Sequence, residues 1–276
     1  MLSSEEIAHF RAFGYVVRRA LLDPAEAARL KDEVRSSIAE AFGGVGTDDD
    51  PNGTGGIRGD YLPLSVNRAP LSQALIADDP RLFQGSVELM GRSAVATIPI
   101  ATCFTSNAGW HIDDGRGLGG VKFIAYLEPR AAATGALRVL PGSHVPEYRS
   151  RIDEYSRDDP AGQGFDGWTF PSVVLQTEPG DVIAFDRQLF HSSQGGRNRL
   201  AWTIEYRPWP GLGDRDLMAL VRDSIVDTVD QGHKRYDRDR WPTWREWVVG
   251  ARGIPSREVA VQRLRLLGVL GEDDPR

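Results

Sequence analysis

The chain has 276 residues, 41% of them hydrophobic and 26% charged, with a formal net charge of −6. That length holds one large domain or two small ones, and all-β proteins of this size are routinely single domains. The acidic balance excludes nucleic acid as the main partner, because phosphate binding needs a basic face, and no apolar run reaches the length that spans a bilayer.

The start, MLSSEEIAHFRAFGYVV, has no cationic segment followed by an apolar one, so no secretion signal is expected. Cys103 is the single cysteine, so no intramolecular disulfide can form and a reducing, cytoplasmic setting is the default. Lys31, Lys122 and Lys234 are the only lysines among 33 basic residues, a bias that fits a GC-rich bacterial genome.

Residues 3–41 read as helical, capped by Ser3 or Ser4 with Glu5 and Glu6 in the first turn, and interrupted by a short β-rich piece within FRAFGYVVRRALL. Asp23 is a good N-cap for a second helix and Pro24 suits its first position. Residues 43–60, GGVGTDDDPNGTGGIRGD, carry too many glycines for a regular element and read as a surface lid over the site. Residues 71–94 read as helix. From 95 to 207 the pattern becomes short β-rich runs broken by Gly and Pro, which predicts a sandwich or barrel rather than a βαβ sheet. From 214 helical periodicity returns; Trp241, Trp244 and Trp247 stand three apart, the spacing of a packed helix face. The expected organisation is one domain over 1–276, with N-terminal helices to 94, a β core over 95–207 and C-terminal helices over 208–276.

Of the five histidines, His9 and His233 sit in polar helical or loop contexts and read as surface residues. In GWHIDDG, residues 109–115, His111 and Asp113 are two apart, so on a strand both would face one object while Asp114 points away. An H-x-D pair is common by chance. His191, just after the hydrophobic run GDVIAFD, completes two histidines and one carboxylate. That donor set holds Fe(II) on one face and leaves three positions open for co-substrate and O2. His144, within LPGSH, is a competing ligand, but Pro141 and Gly142 mark its segment as a structural turn. Lys122, Ile124 and Tyr126 share one face of a strand. Alternation leaves open whether Lys122 points inward, to meet a carboxylate, co-substrate or substrate, or outward into solvent.

WHIDD, YLEPRAAATGALRVLPGSH and PGDVIAFDRQLFHSSQGGRNRLAWTIEYRP follow one another over residues 95–207 in an order and spacing that resembles the phytanoyl-CoA dioxygenase family of Fe(II)/2-oxoglutarate oxygenases. The resemblance implies a mainly β fold with flanking helices, built on a double-stranded β-helix, the cupin-like jelly-roll of two facing sheets. It puts iron on His111, Asp113 and His191. It puts the tail carboxylate of 2-oxoglutarate on Ser193 and on an arginine of the last strand, for which Arg199 fits better and Arg197 competes; an inward Lys122 would join them. It implies a small-molecule oxidation, as hydroxylation, desaturation or ring closure. Halogenation is not expected, since it needs a small residue where Asp113 stands. Chain length and arginine bias look like members from antibiotic gene clusters, including those acting on sugar-derived products. Asp48, Asp49, Asp50 and Asp114 near the expected mouth would suit a cationic or polyhydroxylated substrate. Two rival readings are a non-catalytic metal- or sugar-binding module on the same scaffold and a zinc hydrolase, neither of which needs the carboxylate-reading arginine.

Overall fold

A computed structural model of the chain describes residues 1–43, 59–64, 67–105, 107–157, 171–230, 236–237, 240–241 and 243–271. The N-terminal segment is α1 (Ser4–Phe13), β1 (Tyr15–Arg18), α2 (Pro24–Phe42), β2 (Gly59–Pro63), α3 (Pro70–Ala77) and α4 (Phe83–Met90). The β-rich region holds β3 (Ala94–Ala96), β4 (Ile100–Phe104), β5 (Ala108–His111), β6 (Val121–Tyr126), β7 (Thr134–Val139), α5 (Pro146–Arg157), β8 (Val173–Leu175), β9 (Val182–Asp186), β10 (His191–Gly195) and β11 (Arg199–Pro208). Helices α6 (Arg215–Asp230), α7 (Thr243–Ala251) and α8 (Pro255–Leu266) follow.

Both expected caps form as full capping boxes, Ser3 with Glu6 and Asp23 with Glu26, and the β-rich interruption between them is β1. The continuous helix expected over 71–94 is instead two helices and the start of a strand. Pro80 cannot continue the first helix, and Gly91, at φ +66°, ends the second in the left-handed region. Helix α5 was not expected inside the β region; Pro146 takes a helix-starting position right after the LPGSH turn. The expected lid lies outside the described residues over 44–58, whereas Gly59 and Asp60 already belong to β2. His233 and Asp48 to Asp50 also lie outside them, as does the side chain of Trp244, while Trp241 and Trp247 are buried.

Two antiparallel sheets form the core. The major sheet runs β1-β9-β6-β11-β4-β2, with β3 also paired to β11, and the minor sheet runs β5-β10-β7-β8. Strand alternation along β11 divides the interior in two. Arg199, Ala201, Thr203 and Glu205 line a cavity between the sheets. Leu200, Trp202, Ile204 and Tyr206, on the other face, join the helices in the main hydrophobic cluster. There the Trp202 indole N–H donates to Ser72 Oγ (2.6 Å) and the Tyr206 hydroxyl to the Ile76 carbonyl (2.6 Å). Burial on both faces explains why this strand reads as a largely apolar run, with its charges Arg199, Glu205 and Arg207 all on the face that carries the cavity positions.

Helix α3 ties α2 to the sheet, yet Ala69 at its N-cap offers no side-chain oxygen. Glu33 of α2 supplies the cap from outside: its buried carboxylate accepts from the amides of Leu71 (2.9 Å) and Ser72 (3.0 Å). Two charge-assisted bonds to otherwise orphaned helix-end donors are worth more than an exposed cap. Glu33→Ala should therefore lower the unfolding free energy by about 2 kcal/mol in urea titrations at pH 7; a change within about 0.5 kcal/mol, the range of ordinary surface substitutions, would contradict this role.

Candidate active site

The site begins with strand pairing. Strand β10 runs antiparallel to β5 with His191 directly opposite His111, so two histidines eighty positions apart become cross-strand neighbours with ring centroids 4.3 Å apart. Each ring is oriented by the same local device. The His111 Nδ1–H donates to the Gly109 carbonyl (2.7 Å) and the His191 Nδ1–H to the Leu189 carbonyl (2.8 Å), in both cases two residues back. A carbonyl can only accept, so the proton sits on Nδ1 and each Nε2 presents a lone pair.

Asp113 meets them by a different route from the one expected. Strand β5 ends at His111, and Asp113 lies beyond it, where its amide and that of Asp114 both donate to the Arg187 carbonyl (2.9 and 3.0 Å). Asp113 Oδ1 then stands 3.7 Å from His111 Nε2 and 3.8 Å from His191 Nε2. One ligand atom from each of the three residues lies within 4.8 Å of the others, the only such cluster of potential metal ligands among the described residues. Three convergent donors, nitrogen, nitrogen and oxygen, fit a divalent transition metal bound on one face.

The cavity beside this cluster has a volume of about 160 Å³. Its far end is built around Arg199, which is buried and donates to Ser193 Oγ (2.7 Å) and the Gly195 carbonyl (3.2 Å). Gly135, at φ +85°, passes so close that a Cβ there would fall onto the Arg199 side chain. Tyr126 completes this end through a hydrogen bond with Ser193, and burial pushes its phenol up against the opposing charge of Arg199. Arg197 is exposed on the turn before β11 and does not line the cavity.

Lys122 points inward. Its Nζ is 3.0 Å from Asp113 Oδ2 and 3.4 Å from Glu205 Oε1. Glu205 is held in turn by Arg187 Nε (3.1 Å) and Arg207 Nη1 (2.7 Å). Burial pushes the Asp113 and Glu205 carboxyls up, but the surrounding cations outweigh it. Lys122, joined by the histidines only when they are protonated, holds Asp113 well below the carboxylate range, and Arg207, Lys122 and Arg187 bring Glu205 to about 2. Burial likewise disfavours the Lys122 ammonium, and the two carboxylates more than restore it.

All six expected residues line this one cavity: His111, Asp113, His191, Ser193, Arg199 and Lys122. His144 does not; its Nε2–H donates to the Arg11 carbonyl (3.1 Å) at the end of α1, the structural place expected of it. His9 packs between the rings of Phe13 and Tyr15. Asp114 is corrected: it is buried, not at the mouth, and its carboxylate accepts from the amides of Gly119 (2.7 Å) and Arg116 (3.1 Å). Sequence reasoning missed Glu205, Arg187 and Tyr61. Charged residues inside the apolar run RLAWTIEYRP were a readable signal for Glu205; Tyr61, just past a glycine-rich stretch, gave none.

The sequence pattern of the phytanoyl-CoA dioxygenase family matches residues 10–199. No curated protein matches the chain by sequence. Among solved structures, the non-haem α-ketoglutarate-dependent epimerase SnoN from nogalamycin biosynthesis is similar at 19% identity and a TM-score of 0.55, covering 74% of this chain and 82% of its own. The α-ketoglutarate-dependent carbocyclase SnoK from the same biosynthesis is similar at 17% identity and a TM-score of 0.57, covering 75% and 85%. HygX from Streptomyces hygroscopicus, with nickel and 2-oxoglutarate bound, is similar at 17% and 0.55, covering 75% and 88%. At these identities the likeness is one of fold, and it bears out the expected jelly-roll. No helix among the described residues is long and apolar enough to cross a membrane.

His191 makes the site sensitive to acid. Burial pushes its imidazole down to about 4, with the Asp113 carboxylate working against the shift. The unfolded chain, with an ordinary value near 6.5, takes up the proton first as pH falls. The stabilisation is thus complete above about pH 6.5 and lost toward pH 4, on the order of 3 kcal/mol at most. Unfolding of metal-free protein should show this decline between pH 6.5 and 4, and His191→Gln should flatten it. An identical slope in that variant would contradict the burial argument.

Proposed function

Because this chain belongs to the phytanoyl-CoA dioxygenase family, we propose that His111, Asp113 and His191 hold the Fe(II) with which it oxidises a small molecule at the expense of 2-oxoglutarate. The observation that carries this reading is the convergence of the three donors at the wall of a cavity that ends in Arg199. Bound there, Fe(II) supplies the coupling of O2 reduction to the conversion of 2-oxoglutarate into succinate and CO2, and to oxidation of the substrate.

The chain's own residues supply position and exclusion. In its neutral form each histidine presents the Nε2 lone pair, because its Nδ1–H is committed to a main-chain carbonyl. Arg199 presents a planar guanidinium at the closed end, where a carboxylate can pair with two N–H groups, and the Ser193 and Tyr126 hydroxyls lie beside it. Ile124, Leu137 and Ala201 line the stretch between the donors and the arginine and keep it apolar. His111, nearly half exposed at 46%, stands toward solvent, while His191 is buried at 5%, so substrate approaches from the His111 side. Tyr61, Thr102 and Thr203 also line the cavity, with the two threonine hydroxyls donating to the Ala201 and Ile100 carbonyls and keeping acceptor capacity. They suit a hydroxyl-bearing, carbohydrate-like substrate of secondary metabolism better than a purely apolar one.

Purified protein supplied with Fe(II), 2-oxoglutarate and air should form succinate, and His191→Ala should abolish this while the chain stays folded. His144→Ala should retain it. Arg199→Ala should raise the apparent KM for 2-oxoglutarate at least about tenfold, the scale of one lost charge-assisted bond, and Arg197→Ala should change it little. Succinate formation that survives loss of His191, or a reversed order of the two arginines, would overturn the assignment.

A further inference from the structure

The two oxygens of Asp113 have different partners. Oδ1 faces both histidine Nε2 atoms, at 3.7 and 3.8 Å, whereas Oδ2 lies 3.0 Å from Lys122 Nζ. We infer that Lys122, held by Glu205, is a positioning residue that confines Asp113 to a single metal-facing oxygen and so keeps a coordination position open for the co-substrate. The inference rests on the metal-site reading above and concerns how the protein controls that site.

The surrounding structure fixes the main chain of Asp113. Its amide donates to the Arg187 carbonyl (2.9 Å) and its carbonyl accepts from Arg187 Nη2 (2.8 Å), so its main chain is clamped on both sides by one residue. What remains is rotation of the side chain and its carboxylate, and Lys122, 3.0 Å from Oδ2, opposes that rotation. Lys122 cannot drift away, because Glu205 is its directly paired neighbour across β6 and β11 and binds it on the other side at 3.4 Å. Glu205 is itself immobilised by Arg187 and Arg207, both buried.

The charges balance as a group. Lys122, Arg187 and Arg207 oppose Asp113, Asp114 and Glu205, all within one run of ion pairs. Such a buried cluster is costly unless each member is paired, which argues for a role beyond stability. A metal held by three protein atoms on one face keeps three positions for a chelating co-substrate and O2. A carboxylate that turned to bind through both oxygens would take one of these. With Lys122 removed, Oδ2 would lose its cation and be free to turn toward a metal bound by Oδ1.

Cobalt(II) tests this, because its visible absorption reports coordination number without turnover. Full-length protein is titrated with Co(II) and then with 2-oxoglutarate, in wild type, Lys122→Met, Glu205→Gln and His191→Ala. The expected result is that Lys122→Met binds Co(II) as tightly as wild type but with an altered spectrum before any 2-oxoglutarate is added. Its affinity for 2-oxoglutarate should then fall about tenfold or more, the scale of losing a residue that orients a metal ligand. Glu205→Gln should move both readouts the same way by less, and it carries the test should Lys122→Met not fold. A Co(II) spectrum unchanged in both variants would overturn the inference; if 2-oxoglutarate affinity nevertheless fell, Lys122 would be a direct co-substrate contact instead. Failure of the underlying metal-site reading is distinguishable, since His191→Ala would then bind Co(II) like wild type.

Discussion

Everything in the site depends on the register of β10 against β5. Antiparallel pairing sets His191 directly opposite His111, and a slip of one residue would turn one ring away from the other. The register is held from outside the pair: Val139 of β7 pairs with His191 on the other edge, and the Ser143 hydroxyl accepts from the amide of Phe190 at 2.8 Å. The LPGSH turn therefore matters to the chemistry through position, although His144 itself faces away toward α1. The register against β5 shifts between His191 and Ser193, because β5 carries one extra residue between Ala108 and His111, while β10 stays in regular register with β7 there.

The second constraint is electrostatic. A cavity between two sheets is an expensive place for charge, yet its wall carries Asp113, Lys122, Arg187, Arg199 and Glu205. The expense is contained by segregation. Arg199 occupies one end of β11, and the Lys122–Glu205 cluster lies six residues along the same strand, roughly 20 Å by strand rise. Between them only Ala201 and Thr203 face inward. The opposite face of β11 is apolar apart from hydroxyl and indole groups bonded to α3, so the strand can be fully buried and still present fixed charges at chosen positions.

Much of this was legible in the sequence, and the failures have physical causes. His111, Asp113 and His191 were readable as one candidate set because H-x-D and a distant histidine combine with ordered neighbouring motifs, and the same pattern pointed to the jelly-roll. Strand alternation does not bring His111 and Asp113 together, since β5 stops at His111 and a main-chain clamp from Arg187 carries Asp113 into place. Alternation also could not orient Lys122, because period two fixes which residues share a face and not which face is inside. Glu205 decides that point by pairing with it across the sheet. Asp114 looked like a surface acid because its partners are main-chain amides five residues or fewer ahead, which composition does not show. Helix α3 shows the same limit, with its cap coming from Glu33, 38 positions before Leu71 in the chain.

The central claim is that one metal, held by these three side chains, chelates a 2-oxoacid whose far carboxylate ends at Arg199. The most direct measurement is an anaerobic titration of the Fe(II)-loaded protein with 2-oxoglutarate, followed by visible absorption. A 2-oxoacid chelated to Fe(II) produces a charge-transfer band, and the account predicts that it appears and saturates at one 2-oxoglutarate per chain. Fe(II) bound with no band on adding 2-oxoglutarate would contradict it.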